Sequence, residues 1–124
     1  MPARRRSTLA PMACLFCNVL EKKIPADIIY EDEHAVAFRD IRPVAPTHVL
    51  VIPRTHVAAI RALGDDDAAI IGHVMLAARN VAKQEGLEAG GYRLVVNDGD
   101  AAGQTVHHVH VHVIGGRNLT WPPG

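Results

Sequence analysis

Four of the chain's eight histidines fall within six residues, at His107, His108, His110 and His112, interleaved with Val109, Val111 and Val113. An imidazole is largely neutral near pH 7. It attacks phosphorus and acyl centres well when its second nitrogen is held by a hydrogen-bond acceptor. A neighbouring imidazole can then stabilise phosphoryl oxygens or protonate a leaving group. Cys14 and Cys17 form a second reactive pair at a chelating Cys-x-x-Cys spacing, which histidines from distant segments could complete as a tetrahedral Cys2His2 site. Two semi-buried thiols in a helix is the plainer reading of that spacing. A redox pair is disfavoured because no βαβ unit surrounds it. Ala101-Ala102-Gly103-Gln104 reads as a flexible lead into the histidines, and Gly103-Gln104-Thr105 offers backbone N–H groups and a hydroxyl to an anionic group. Neither a Gly-x-x-x-x-Gly-Lys phosphate loop nor a Gly-x-Gly-x-x-Gly fingerprint is present.

These residues need elements to hold them. The stretch Thr105 to Ile114 alternates β-branched valines with histidines, which predicts a strand. His108, His110 and His112 would share one face and Val109, Val111 and Val113 the other, buried one. Cys14 to Lys23 reads as a short helix ended by Ile24-Pro25. Ile28 to Tyr30 and Ala35 to Phe38 read as a hairpin around Glu31-Asp32-Glu33, and Thr47 to Pro53 as a buried central strand. Asp65, Asp66 and Asp67 cap one long helix that runs to about Glu85, with Gly86 as its stop. Its apolar set is Ile70, Val74, Ala77, Ala78 and Val81, with His73 beside it as a surface or packing residue. Tyr92 to Asn97 is a further strand, followed by a turn at Asn97-Asp98-Gly99-Asp100. Strands with one long helix and no regular βαβ alternation indicate an α+β fold with an antiparallel sheet.

The 124 residues favour one domain, and Lys plus Arg (13) balances Asp plus Glu (13). That balance gives no reason to expect a nucleic-acid partner or a membrane surface, and no apolar run approaches a membrane span. The chelating cysteine spacing suggests a reducing, cytoplasmic setting. Residues 1–12, with Arg4, Arg5 and Arg6 between Pro2 and Pro11, read as a disordered extension ahead of a domain at 13–124.

His108-Val109-His110-Val111-His112-Val113-Ile114 matches the His-φ-His-φ-His-φ-φ signature, φ being hydrophobic, of the histidine triad (HIT) superfamily. The chain resembles that superfamily from about Cys14 to Gly124. Matching segments are Ile24-Pro25-Ala26, Tyr30-Glu31-Asp32, Ala37 to Ile41, Pro46 to Pro53 and Gly103 to Val106. The ending Gly115-Gly116-Arg117 … Trp121-Pro122-Pro123-Gly124 resembles the Hint branch, the histidine triad nucleotide-binding proteins, more than the Fhit dinucleotide hydrolases.

The resemblance implies about five antiparallel strands with one long and one short helix, and a homodimer that joins two sheets into one. It implies a purine nucleotide partner (AMP, GMP) and hydrolysis of nucleoside phosphoramidates through a nucleotidyl-histidine. Diadenosine polyphosphate hydrolysis and nucleotide-binding regulation are the alternatives. Carried over, His110 is the nucleophile, and His112 and Thr105 meet the phosphate or leaving group. His48 supports the triad from the neighbouring strand. Asp40 accepts from the ribose, and Ile41, Phe16, Val19 and Phe38 wall the base. Asn97, Gly103 and Gln104 lie near the phosphate, and Trp121 reaches toward the partner subunit's site. Bacterial relatives with a Cys-x-x-Cys bind structural zinc, which is not needed for catalysis. The corresponding ligands are Cys14, Cys17, His56 and His108, with His48 as an alternative to His56. His107 stands where an aromatic is common, on the core-facing or edge side, with no catalytic role. Thr105 stands where Ser is usual.

Overall fold

The computed structural model describes residues 14–124, so the expected extension at 1–12 lies outside the described residues. Five antiparallel strands form one sheet: β1 (Ile28–Glu31), β2 (Ala35–Arg39), β3 (Thr47–Pro53), β4 (Tyr92–Val95) and β5 (Val111–Gly115). Their order is β1-β2-β3-β5-β4, which puts the apolar run of β3 at the centre, as its burial on both faces requires. The expected α+β architecture, with one short and one long helix, is the observed one.

The period-two alternation of the strands sorts their side chains between two helices. One sheet face presents Ala35 and Ala37 of β2, Val49 and Val51 of β3, and Val111 and Val113 of β5. These pack on Val74, Ala77, Ala78, Val81 and Ala82 of the long helix α2 (Ala68–Gln84). Alanines on both sides of this contact let the helix lie close to the sheet. The opposite face carries Val36, Phe38, Leu50 and Ile52, covered by Phe16, Cys17 and Val19 of the short helix α1 (Leu15–Leu20).

Ends of elements follow local chemistry. The β1–β2 turn is closed by Asp32, whose Oδ1 accepts from the backbone N–H of His34 at 2.7 Å and of Ala35 at 2.8 Å. Helix α2 stops where Gly86 takes φ +75°, and the Leu87 N–H donates back to Ala82 O at 2.9 Å. Arg39 donates to Glu85 at 2.8 Å and ties β2 to this helix end.

Some expectations need correction. Asp67 stands at the start of α2 without capping it through its side chain; its Oδ2 accepts from the Gly64 N–H at 2.9 Å. Helix α1 ends at Leu20, earlier than Lys23, and Lys22 adopts φ +59°. The lead 101–104 is held rather than flexible. A short 3-10 turn covers Asp100–Ala102, and buried Gln104 donates to Ala58 O at 2.8 Å and accepts from the Gly99 N–H at 2.9 Å. The histidine strand begins at Val111, not Thr105. Its ladder with β3 runs only from Val51↔Val111 to Thr47↔Gly115. Pro53 has no N–H to extend the ladder, and its carbonyl is taken by the His108 ring at 2.9 Å. His107 is exposed, neither core-facing nor on a sheet edge.

Candidate functional site

The segment before β5 divides the triad. His108 is fully buried, and its Nε2–H donates to Pro53 O, so the lone pair sits on Nδ1. That nitrogen lies 3.5 Å from Cys14 Sγ, 3.6 Å from Cys17 Sγ and 3.1 Å from His56 Nδ1. Cys17 Sγ is 3.3 Å from His56 Nδ1. All four ligand atoms lie within 4.8 Å of one another. A tetrahedron with Zn–S near 2.3 Å and Zn–N near 2.0–2.1 Å has edges of roughly 3.3–3.8 Å, close to these separations. Helix α1 contributes its first turn: Cys14 is the residue before the helix, and its sulfur accepts from the Cys17 N–H.

The electrostatics suit a cation. Burial pushes the Cys17 thiol up to about 12, with Cys14 beside it adding to the rise. A bound metal reverses that balance by favouring the thiolate. Burial lowers His108 to about 4, and His56 is lowered for the same reason, so both rings are neutral donors at pH 7. His48 is not a member of this group; it lies on β3, 2.9 Å from His112.

His110 Nδ1–H donates to the His108 carbonyl at 2.7 Å, which leaves the lone pair on Nε2. Burial lowers its pKa, against the opposing pull of that bond and of Asp40. A second chain of bonds orders His112. The Val44 N–H donates to His48 Nδ1 at 3.1 Å, so the His48 proton is on Nε2. That proton faces His112 Nδ1 at 2.9 Å and Asp40 Oδ2 at 3.4 Å. His112 therefore accepts at Nδ1 and carries its own proton on Nε2. Burial, then the nearby His110 and His48, lower His112 to about 4. Asp40, His48 and His112 also cluster closely enough to hold a cation. The Val44 bond speaks against this, because it leaves no lone pair on His48 Nε2 for a metal. The group is a proton-ordering chain.

Both histidines open onto a cleft of about 490 Å³. Its floor follows one cross-strand row, since His112 pairs with Leu50, Leu50 with Phe38 and Phe38 with Ile28. Of the residues the sequence suggested, Phe16, Val19, Phe38, Asp40, Ile41, Thr105, His110 and His112 line this cleft. His48 stands behind His112. Asn97, Gly103, Gln104 and Trp121 are not among its lining residues. Gln104 spends its amide holding the 99–106 loop, and Trp121 is 80% exposed. Leu50, Asp27, Arg39 and Val106 line the cleft without having been foreseen. Leu50 was findable as the β3 residue on the His48 face; the Val44 N–H carries no sequence signal, because every residue but proline has one.

An open five-stranded sheet with a histidine-triad segment leading into β5, beside the central strand, defines the class of histidine triad proteins. The chain matches the HIT domain family over residues 21–119 and belongs to it. It is 46% identical to the 14 kDa zinc-binding protein of Zea mays over 112 residues, covering 89% of this chain and 87% of that protein. A HIT family hydrolase from Legionella pneumophila Philadelphia 1 superposes with TM-score 0.87 at 49% identity, covering 90% of this chain and 99% of that one. A histidine triad nucleotide-binding protein from Candida albicans superposes with TM-score 0.76 at 30% identity, covering 89% and 83%.

Proposed function

We propose that this protein hydrolyses purine nucleoside phosphoramidates through a covalent nucleotidyl-His110 intermediate. The observation that carries the reading is the 2.7 Å bond from His110 Nδ1–H to the His108 carbonyl, which leaves the lone pair on Nε2 of a ring that lines the cleft. Nε2 attacks phosphorus, the Nε2–P bond forms, and the P–N bond to the amine breaks. His112 donates its Nε2–H as a hydrogen bond to a phosphoryl oxygen, and the amine departs with a proton taken from solvent water. Thr105, exposed, also lines the cleft and brings a hydroxyl able to meet the phosphate or the leaving group. Water then attacks phosphorus, an O–P bond forms as the Nε2–P bond breaks, and the proton that water loses passes to solvent, releasing the nucleotide and restoring neutral His110. Asp40 accepts from the ribose, and Phe16, Val19, Phe38 and Ile41 wall the base.

The two thiols and two imidazoles of Cys14, Cys17, His56 and His108 fit zinc, and a relative bears a zinc-binding name. Zinc there supplies a cross-link between α1, the loop after β3 and the segment before β5. We further place the protein in the cytoplasm as a homodimer, with β4 as an edge strand able to pair with a second copy. No helix of the described residues is long and apolar enough to cross a membrane.

Rates on an adenosine phosphoramidate, with diadenosine polyphosphate as comparator, test the reading in wild type and His110→Ala. The phosphoramidate should be the faster substrate, and the variant should lose at least ~10³-fold in kcat. Acid-quenched wild type should carry one nucleotidyl adduct by intact mass, absent from the variant. Undiminished turnover in His110→Ala would refute it.

A further inference from the structure

We propose that Arg117 is a positioning residue that acts on His112 through Val44 and His48. Its effect on turnover rests on the phosphoramidate reading above; its effect on the resting histidines does not. The β3–β5 ladder ends at Thr47↔Gly115, so the residues before Thr47 and after Gly115 continue side by side. Gly116 permits the close approach: it takes φ +94°, and a Cβ there would stand 2.9 Å from Pro46 Cβ. Arg117 then closes on the loop 40–46 between β2 and β3. Its Nε and Nη2 donate to the Val44 carbonyl at 3.2 and 2.9 Å, and its Nη1 donates to the Asn118 carbonyl at 3.0 Å.

Val44 is thereby held from both sides. The guanidinium fork takes its carbonyl, and its N–H donates to His48 Nδ1 at 3.1 Å. Pro43 and Pro46 each fix one φ of the loop, and the fork restrains Val44 between them. Val44 is 55% exposed, so burial does not lock its N–H onto the imidazole. A guanidinium presents its donors in a fixed plane, whereas a lysine brings a point charge on a flexible stem. From His48 the chain of bonds runs 2.9 Å to His112 Nδ1. Arg117 is not among the residues lining the cleft, so this chain is its route to the reaction. Without the fork, Val44 N–H swings off His48, and His48 Nδ1 becomes free to carry a proton. The His48 Nε2 lone pair then draws the His112 proton to Nδ1, which leaves His112 Nε2 an acceptor where a donor is needed.

Imidazole nitrogen NMR of the full chain and phosphoramidate kinetics test this in wild type, Arg117→Ala and Arg117→Lys. Wild type should show His48 and His112 each as the pure Nε2–H tautomer. Arg117→Ala should mix the tautomers of both rings and lower kcat roughly 3–10-fold, with KM changed by less than about twofold. Arg117→Lys, which keeps the charge without the fork, should recover only part of the loss. Adding Arg117→Ala to His48→Phe should cost no further kcat, because the effect runs through His48. Thermal melts check that the variants keep the fold. Unmixed tautomers in Arg117→Ala, additive losses in the double variant, or a rise in KM that Arg117→Lys restores in full overturns the role of Arg117 and leaves the phosphoramidate reading standing. Mixed tautomers in a protein that turns over no phosphoramidate uphold the positioning by Arg117 and overturn that reading instead.

Discussion

His108 and His110 are joined by a bond that links the metal-type cluster to the imidazole proposed as the nucleophile. The carbonyl of His108 accepts the His110 Nδ1 proton at 2.7 Å, while the ring of His108 faces Cys14, Cys17 and His56. Phe16, between the two cysteines, packs edge-on against His110 with ring centroids 5.0 Å apart. One residue thus orients the imidazole proposed to attack from its main chain and closes the cluster with its side chain.

Stripping the metal, or replacing Cys17 with Ser, is therefore expected to lower kcat at least ~10-fold, although no sulfur lines the cleft. Losing a cross-link worth several kcal/mol should lower Tm by on the order of 10–20 °C. Zinc content, melts and kinetics on the same samples check this. A metal-free protein with unaltered kcat would show the two sites to be independent.

His48→Phe removes the proton that fixes the His112 tautomer while keeping an apolar ring in the space. Turnover should fall about 10–100-fold with KM changed by less than about threefold, because the ordering aims the His112 Nε2–H at charge that develops on the phosphoryl oxygens in the transition state. Steady-state kinetics decide it. A rise in KM with kcat preserved would mean that His48 supports binding instead.

His112 is one of the buried imidazoles that make stability depend on pH. Its folded pKa of about 4 lies below the ordinary imidazole value, so between about 4 and 6.5 the unfolded chain binds more protons than the folded one. Stability is accordingly full above about 6.5 and falls as pH drops toward 4, by up to ~1.4 kcal/mol per pH unit for this one group. Urea unfolding between pH 4.5 and 7 should show that slope reduced by about one proton in His112→Asn. Parallel curves for the two proteins would exclude His112 as the source.

Ala78 is fully buried where α2 meets the sheet, among Ala35, Ala37 and the valines of β3 and β5. Ala78→Leu should cost about 1–3 kcal/mol through overpacking, with the denaturant m-value unchanged. Gly86→Ala should cost about 1 kcal/mol for a different reason. Nothing lies within 4 Å of the added Cβ, and only the φ of +75° is strained. Chemical denaturation of both variants checks the pair.

The strands were legible where alternation was unambiguous. β3 reads as central because Val49 to Ile52 are apolar without interruption, and they are buried on both faces. The histidine strand was over-extended because Val-His alternation continues upstream of Val111, whereas ladder length depends on the partner strand. Pro53 ends that ladder from across the sheet. Gln104 read as a phosphate-side residue from its place beside Thr105. Its amide is committed to Gly99 and Ala58, contacts set by how the 99–106 loop folds.

Residue type and spacing by themselves determined the chemistry available: imidazoles at alternating positions, a chelating thiol pair, and apolar faces able to bury beside them. They also determined the sheet, because period-two burial leaves few other solutions. The tertiary structure alone decided how the imidazoles divide. Which nitrogen holds the proton depends on backbone groups, the carbonyls of Pro53 and His108 and the N–H of Val44. Every residue carries such a carbonyl, and all but proline carry such an N–H, so their positions become specific only when the chain closes on itself.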